Sequence, residues 1–339
     1  MKHIVLFWVI LLTSTSLLAS NQISVGEKFV VVANSKSKKI TVHDKATLEI
    51  VHTIFIENGR LYEVALSSDE STIWYRSGAT MYCISTSTWE PNIEFEGFGV
   101  YRFELNNQNK QLIHYENSGE STIVDIFDLN SAVMSDHMEI PFSGFIESIF
   151  YNDSTDQLII LTPKFDLKSE LPLSEEEAII FPETKEEVEL SMRHDGKGSR
   201  LVVFDKMDNI IHDDTIYYSS NFSTDLDMIG DRLFLITQIG NCEILEDYSL
   251  RTTSFIATNV QDYTIHETSI YGSNSFNFFQ YNSTDDSYTE FWDDDMNKII
   301  VEANAVEMDE THCFVVYDNI LYRFKQDNMR EVDWEVSVE

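Results

Sequence analysis

The sequence predicts an all-β fold, a seven-bladed β-propeller of four-stranded antiparallel blades, and three observations support this. A unit of four short strands with alternating apolar and polar residues recurs along the chain. One strand of the unit appears seven times, at intervals near the repeat of about 40 to 50 residues that is typical of propeller blades. The chain holds only 5 Pro, almost none in these strands, as ladder hydrogen bonding requires.

The third strand of each unit marks the repeat most clearly. The seven markers are residues 40–44, 81–85, 123–128, 201–205, 243–247, 278–282 and 321–325. Their last residues lie 41, 43, 77, 42, 35 and 43 positions apart. Four-stranded sheets of this kind cannot cover their own faces, so we expect seven of them to shield one another by closing into a ring.

The single long interval between markers predicts an insertion of about 35 residues between Pro163 and Gly198, joining the second and third strands of blade four. Two residue pairs in it have capping-box spacing, which predicts two short helices: Ser174 with Glu177, and Thr184 with Glu187. Long insertions in compact folds often cover binding sites. A cover over the channel mouth and a solvated acidic excursion both stay open as interpretations.

The N-terminus has the pattern of a secretory signal peptide over residues 1–20. Lys2 precedes an apolar run from Ile4 to Leu12, and small residues follow up to Ser20. This predicts cleavage near residues 19–21, a secreted or periplasmic protein, and one propeller domain over 21–339. The run is too short for a membrane span, and no later segment is longer. Little chain precedes Phe29, which leaves open whether the first blade borrows or lacks its inner strand.

The formal net charge of −35 predicts a strongly acidic surface. Such a field repels phosphate backbones and anionic membranes, so nucleic acid is not an expected partner. The charge serves solubility or, alternatively, recruits cations or basic partners. The three cysteines, Cys83, Cys242 and Cys313, stand among apolar or aromatic neighbours, and we expect three buried, unpaired thiols.

The first unit carries a resemblance to a known family. Its strands read Phe-Val-Val-Val-Ala-Asn-Ser over 29–35 and Ile-Thr-Val-His-Asp over 40–44, before Ala46-Thr47. This resembles the YVTN-type repeat of extracytoplasmic and surface-layer proteins, a WD40-like seven-bladed propeller family. Residues 64–70 are similar to the family's Val-Ser-Pro-Asp-Gly turn, with Ser68 and Glu70 replacing Pro and Gly. The match covers residues 28–85 and implies fold rather than activity, because the superfamily includes binding proteins, structural proteins and enzymes.

Acidic clusters are the candidate metal ligands. Asp293, Asp294 and Asp295 fall in the link between blades six and seven, on the same predicted face as the insertion, and their oxygens suit Ca²⁺. The spaced oxygens of an EF-hand are missing, and in so acidic a chain such clusters arise by composition. We interpret Asp225, Asp227 and the acids of 153–156 as turn or strand-edge residues, and aromatics such as Trp74, Phe103 and Trp292 as inter-blade core.

Catalytic motifs do not emerge from the sequence. It contains no zinc-ligand His spacing, no Gly-x-Ser-x-Gly elbow and no Gly-rich phosphate loop. The leading hypothesis is therefore a non-enzymatic extracytoplasmic module that binds a protein or other ligand through the insertion-bearing face. One alternative is a propeller hydrolase or lactonase with an acidic, divalent-cation site at the channel mouth, which three or more converging acids would favour. Another is a structural envelope component. The sequence sets neither ligand nor oligomeric state.

Overall fold

The described part of the chain folds into seven four-stranded antiparallel sheets, and each sheet is built from four consecutive strands. In this computed structural model the described residues are 22–57, 59–96, 103–106, 110–117, 120–142, 144, 146–163, 198–217, 224–237, 240–253, 260, 262–273, 277–292, 297–301 and 303–338. The sheets are the blades of a seven-bladed propeller, as the repeat predicts.

Blades one to four hold the first sixteen strands. Blade one contains β1 (Gln22–Val25), β2 (Phe29–Asn34), β3 (Lys39–Asp44) and β4 (Ile50–Phe55). Blade two contains β5 (Leu61–Leu66), β6 (Thr72–Ser77), β7 (Thr80–Ser85) and β8 (Pro91–Glu96). Blade three contains β9 (Phe103–Asn106), β10 (Gln111–Asn117), β11 (Thr122–Asp128) and β12 (Val133–Ile140). Blade four contains β13 (Ser148–Asn152), β14 (Gln157–Pro163), β15 (Gly198–Asp205) and β16 (Ile210–Tyr217).

Blades five to seven hold the remaining strands and one short helix. Blade five contains β17 (Thr224–Ile229), β18 (Arg232–Thr237), β19 (Gly240–Ile244) and β20 (Leu250–Thr252). Blade six contains β21 (Asp262–His266), β22 (Ser269–Ser273), β23 (Phe278–Asn282) and β24 (Ser287–Phe291). After α1 (Lys298–Val301), blade seven contains β25 (Ala305–Met308), β26 (His312–Tyr317), β27 (Ile320–Lys325) and β28 (Asn328–Ser337).

The predicted marker strands are confirmed as the third strand of every blade. Only the marker of blade five ends early, at Ile244, because residues up to Tyr248 form a turn instead. The insertion begins after β14 and ends before β15, as predicted, although its interior lies outside the described residues. Blade one has an inner strand of its own, β1, which settles the question that the sequence left open.

The hydrophobic core lies between the blades. Seven buried clusters occur among the described residues, and each joins two neighbouring blades. Strand β2 shows how alternation produces this arrangement. Val31 and Ala33 pack toward blade two, whereas Val30 and Val32 pack toward blade seven. Successive residues point to opposite sides of a strand, so one strand serves two interfaces.

The ring closes between blades one and seven through side chains, because both sheets are complete in themselves. Phe314 and Leu321 of blade seven share a buried cluster with Val30 and Val32 of blade one. Polar contacts flank this cluster, and the guanidinium of Arg323 donates to the Lys45 carbonyl at 2.8 Å. Closure therefore depends on a packed interface like the other six rather than on a shared sheet.

Glu70 lies in the turn that joins β5 to β6. Its φ is 58°, in the left-handed region that favours glycine. The Glu70 carboxylate accepts hydrogen bonds from the backbone N–H groups of Lys28 at 2.8 Å and Phe29 at 3.2 Å. Those contacts tie blade two to blade one, and they offset the strained backbone of Glu70.

Two predictions about buried side chains were wrong. Cys83 and Cys313 are buried free thiols, but Cys242 is free and only partly buried. Its strand, β19, pairs on one side with β20, which has only three residues. Trp292 is 48% exposed because it follows the end of β24 instead of lying on a strand, whereas Trp74 and Phe103 are buried as predicted. Within the described ranges, no helix has the length and apolar character to cross a bilayer.

Candidate functional site: an acidic central channel

The first strands of all seven blades line one central cavity of about 520 Å³. Its walls include Gln22 to Val25 of β1 and Ile149 and Phe150 of β13. Adjacent strands alternate in direction, so the loops between second and third strands open on the same face as the links between blades. The first strands begin at that face, which also carries the insertion.

Six carboxylates line this cavity, and they come from five different blades: Glu63, Glu104, Asp225, Asp227, Asp262 and Glu307. Lys110, from the turn before β10, is the one lysine among the lining residues. The channel therefore brings together carboxyl groups from separate parts of the sequence. The first strands of blades one and four carry uncharged polar residues instead of acids: Gln22 and Ser24 on β1, and Ser148 on β13.

The first strand of each blade is an edge strand, so some of its backbone N–H groups have no partner in the sheet. Polar side chains on the first strand of the preceding blade accept hydrogen bonds from several of these groups. Ser24 Oγ accepts from Leu66 N at 3.0 Å, and Ser148 Oγ accepts from Leu226 N at 3.3 Å. Asp262 Oδ2 accepts from Val306 N at 2.8 Å. Unpaired edge groups are costly when buried, so these contacts explain why first strands carry polar residues.

Glu63 is held by an arginine at one side of the channel. Its Oε1 lies 2.6 Å from Arg76 Nη2, and the same guanidinium lies 4.8 Å from the ring centre of Tyr62. The Glu63 side chain keeps 27% of its surface open to the channel. Burial nevertheless raises the pKa of Glu63 because the surrounding protein removes water, while Arg76 opposes the rise and Asp225 adds to it.

Asp225 and Asp227 point to the same side of β17 because they lie two residues apart. Burial raises the pKa of both carboxyls, that of Asp227 to about 7, with the Asp225 charge adding to the rise. The Tyr263 hydroxyl donates to Asp225 Oδ2 at 3.4 Å, which opposes the rise at Asp225. Burial, followed by the charges of Asp225 and Glu63, raises the pKa of Glu104 well above its usual range.

Asp262 and Glu307 form a second acidic group on neighbouring blades. Burial raises the pKa of Asp262 to about 8, and the Glu307 charge contributes to the rise. Burial also raises the pKa of Glu307 to about 7, against the opposing effect of Lys110. The pKa of Lys110 is lowered by burial, although Glu307 counteracts this. Lys110 Nζ donates to the Leu66 carbonyl at 3.2 Å.

The six channel carboxyls can hold protons or exchange them for another positive charge. Burial raises the pKa of these carboxyls and so favours their protonated form, and neighbouring carboxylates add to the rise at Glu104, Asp227 and Asp262. A bound cation would compensate their charge and allow them to ionise. The volume lies within the range of small-ligand sites, about 300 to 1,000 Å³. The chemistry therefore suits a ligand with positive charge.

Some residues singled out from the sequence lie outside the described part of the chain, and others lie on the channel wall. Asp293, Asp294 and Asp295 lie outside the described residues, as does the interior of the insertion. Asp225 and Asp227 lie on a strand edge as predicted, but that edge faces the channel. Within the described part of the chain, no three His, Cys, Asp or Glu side chains form a group that could hold a metal ion.

Sequence reasoning missed four of the channel acids: Glu63, Glu104, Asp262 and Glu307. Each stands singly in a short strand, so no local motif exposes it. The available signal was positional, since counting back from each marker strand finds an acid in the first strand of blades two, three, five, six and seven. Only closure of the ring brings these acids, which recur once per blade in sequence, to one cavity.

Comparisons with known proteins support the fold. No family model matches the chain, and no curated protein matches it. The Cps50 (Swd1) β-propeller domain of Myceliophteria thermophila is similar in structure, with a TM-score of 0.55, 13% identity, and coverage of 94% of this chain and 97% of that one. A functionally unknown protein from Desulfotomaculum acetoxidans DSM 771 has a TM-score of 0.57, 14% identity, and coverage of 91% and 95%. At such identities the likeness shows the propeller fold alone.

Proposed function

We propose that this chain is a non-enzymatic binding module whose ligand carries positive charge and occupies the central channel. The positive charge of the ligand rests on the convergence of six carboxylates from five blades on one cavity. The same convergence is expected of the hydrolase or lactonase alternative, so a separate hydrolysis assay distinguishes the two. An extracytoplasmic location agrees with the N-terminal sequence and with the YVTN-type resemblance of the first unit. The ligand is a protein segment or a smaller molecule that presents ammonium or guanidinium groups.

The energetics of the channel carboxyls support a binding role. Carboxyls whose pKa is raised by burial destabilise the fold at neutral pH, since each must either hold a proton or carry a poorly solvated charge. Groups that lower stability are commonly kept for function. A cationic ligand would relieve this cost, so its binding should stabilise the protein.

The insertion-bearing mouth is the proposed entrance. Asp262 is the first residue of β21, which places it at the end of the channel where the insertion leaves blade four. Lys110 follows the end of β9, at the opposite end. A ligand that enters from the insertion side would therefore meet carboxylates before it meets the lysine.

The proposal is tested by thermal shift with spermidine, a flexible organic trication, as the probe. We expect spermidine to raise the melting temperature at pH 7.5 and sodium chloride of equal ionic strength to have little effect. The variant Glu104→Gln should weaken spermidine binding about tenfold, as loss of one close charge pair predicts. Glu246→Gln removes the same charge from an exposed turn and is the matched control. Equal losses in the two variants, or no shift with the wild type, would contradict a channel site.

The second candidate is the hydrolase or lactonase, and the same acids favour it. A carboxyl with a pKa near neutrality can act as a general acid or base, as Asp227 and Glu307 could. Hydrolysis of a lactone panel with calcium chloride or chelator tests this candidate. Activity that is lost in Asp227→Asn but kept in Glu246→Gln would replace the binding proposal. Calcium-dependent stability that is lost in Asp294→Asn would instead support an ion at Asp293 to Asp295.

A further inference from the structure

The outer strand of blade one, β4, differs from the other six outer strands in carrying no charge. Its sequence is Ile-Val-His-Thr-Ile-Phe. The other outer strands each hold at least one charged residue: β8, β12, β16, β20, β24 and β28. Charges on edge strands discourage pairing with other chains. Strand β4 lacks this protection.

From His52 to Phe55 the free edge of β4 presents backbone groups in the order that a further strand requires, whereas the β3–β4 register shifts at Val51. Among the described strands, β4 pairs only with β3. Ile56 donates its N–H to the Lys38 carbonyl at 2.9 Å. Because antiparallel pairing alternates, the backbone groups of Ile54 then face β3, and those of Thr53 and Phe55 face outward. An extended segment could therefore form ladder hydrogen bonds there.

The side chains of β4 also present apolar surface. Phe55 is 69% exposed, Val51 is 47% exposed and Ile50 is 46% exposed. Such residues on an outer strand contribute little to the core of their own blade. A strand laid alongside β4 would cover part of this surface and gain hydrophobic stabilisation from it.

Charge indicates which kind of segment would bind. Residues 22–57 contain five Lys and four acidic residues, a net charge of +1 in a chain of −35. Lys36 and Lys38 are exposed on the turn before β3, and Lys39 Nζ lies 5.8 Å from the ring centre of Phe55. These lysines stand at the end of β4 where Phe55 lies. The uncharged edge of β4 is thus flanked by ammonium groups.

We infer that the outer edge of blade one docks an extended acidic segment of a partner protein, which adds to the sheet as a fifth strand. Backbone hydrogen bonds to Thr53 and Phe55 supply affinity. Apolar side chains of the segment cover Val51 and Phe55, and its carboxylates meet Lys36, Lys38 and Lys39. This surface lies on the outer rim, so it is separate from the channel site.

The test uses the full chain and two capped peptides that differ only in charge. The acidic probe is Thr-Val-Glu-Val-Asp-Val-Glu-Thr, and the basic probe has Lys at the three acidic positions. We expect the acidic probe to bind with an affinity that falls as salt rises, and to slow amide hydrogen exchange over residues 50–55. The basic probe should do neither. No slowing over 50–55, or equal binding of both probes, would overturn the inference.

Two matched pairs of variants locate the site. Val51→Glu should weaken the acidic probe about tenfold, while Val133→Glu, at a 61% exposed valine on the outer strand of blade three, should leave it unchanged. Lys36→Glu should weaken it, whereas Lys206→Glu on blade four should not. Equal effects within either pair would contradict the assignment. Slow exchange over 50–55 that depends on protein concentration without peptide would make a second copy the occupant and overturn the choice of an acidic segment.

Discussion

At the scale of single residues, the channel acids set the pH dependence of stability. The pKa of Asp227 is raised from 3.8 to about 7 by burial. Between those values the folded state holds a proton that the unfolded state has lost, so the free energy of unfolding falls as pH rises. Asp227 therefore destabilises the protein at pH 8 and not at pH 4.

We accordingly expect Asp227→Asn to raise the free energy of unfolding by about 1–3 kcal/mol at pH 8 and by much less at pH 4.5. The amide keeps an oxygen that can accept from Met228 N, which donates to Asp227 Oδ1 at 3.0 Å. Urea denaturation at the two pH values measures the difference. Glu246→Gln, at an exposed turn, should show no such dependence. A variant that is less stable than wild type at pH 8 would show that Asp227 is stabilising.

At the scale of strands, the sequence could predict nearly every element because alternation and turn residues report local structure. The marker strands β3, β7 and β27 fall within one residue of the predicted bounds. The end of β19 was wrong because a turn over residues 245–248 replaced the predicted continuation. Hydrogen bonds between blades, such as that from Leu66 to Ser24, join residues far apart in sequence and could not be predicted.

This inter-blade bond gives a prediction for the strands. Ser24 is 3% exposed, and its hydroxyl accepts the Leu66 N–H at 3.0 Å. Ser24→Ala leaves that N–H buried without an acceptor, so we expect a loss of about 1–3 kcal/mol in the free energy of unfolding. Ser87→Ala in an exposed turn should change it by less than about 0.5 kcal/mol. Similar values for the two variants would mean that edge capping contributes nothing.

At the scale of the whole molecule, the ring closes through a packed apolar cluster flanked by polar side-chain contacts, and not through a shared sheet. Phe314 is fully buried in the cluster that joins blades seven and one, and Phe234 is fully buried in the cluster that joins blades five and six. If closure is an ordinary interface, Phe314→Ala and Phe234→Ala should each lower the free energy of unfolding by about 3–5 kcal/mol. Urea denaturation checks this. A much smaller loss for Phe314→Ala would identify the closing interface as the weak point.

The ring also explains why the fold could be predicted and the site could not. A four-stranded unit that repeats about every 40 to 50 residues is typical of a propeller, and the repeat is visible in residues 40–44, 81–85 and the later markers. The channel acids Glu63, Glu104 and Glu307 are 41 and 203 residues apart along the chain, and only closure brings them to one cavity. Burial raises the pKa of all three, and the charges of neighbouring channel acids add to the rise at Glu63 and Glu104. Neither effect can be seen in the linear sequence.

The most direct test of the account is calorimetry of spermidine binding at pH 7 in two buffers of different ionisation enthalpy. Spermidine is fully charged at this pH, so any net proton exchange reports the protein. If cations replace protons in the channel, binding should release protons, and Glu104→Gln should reduce both the affinity and the number released. Binding without proton release, or binding that Glu104→Gln leaves unchanged, would contradict the claim that the acidic channel is the site.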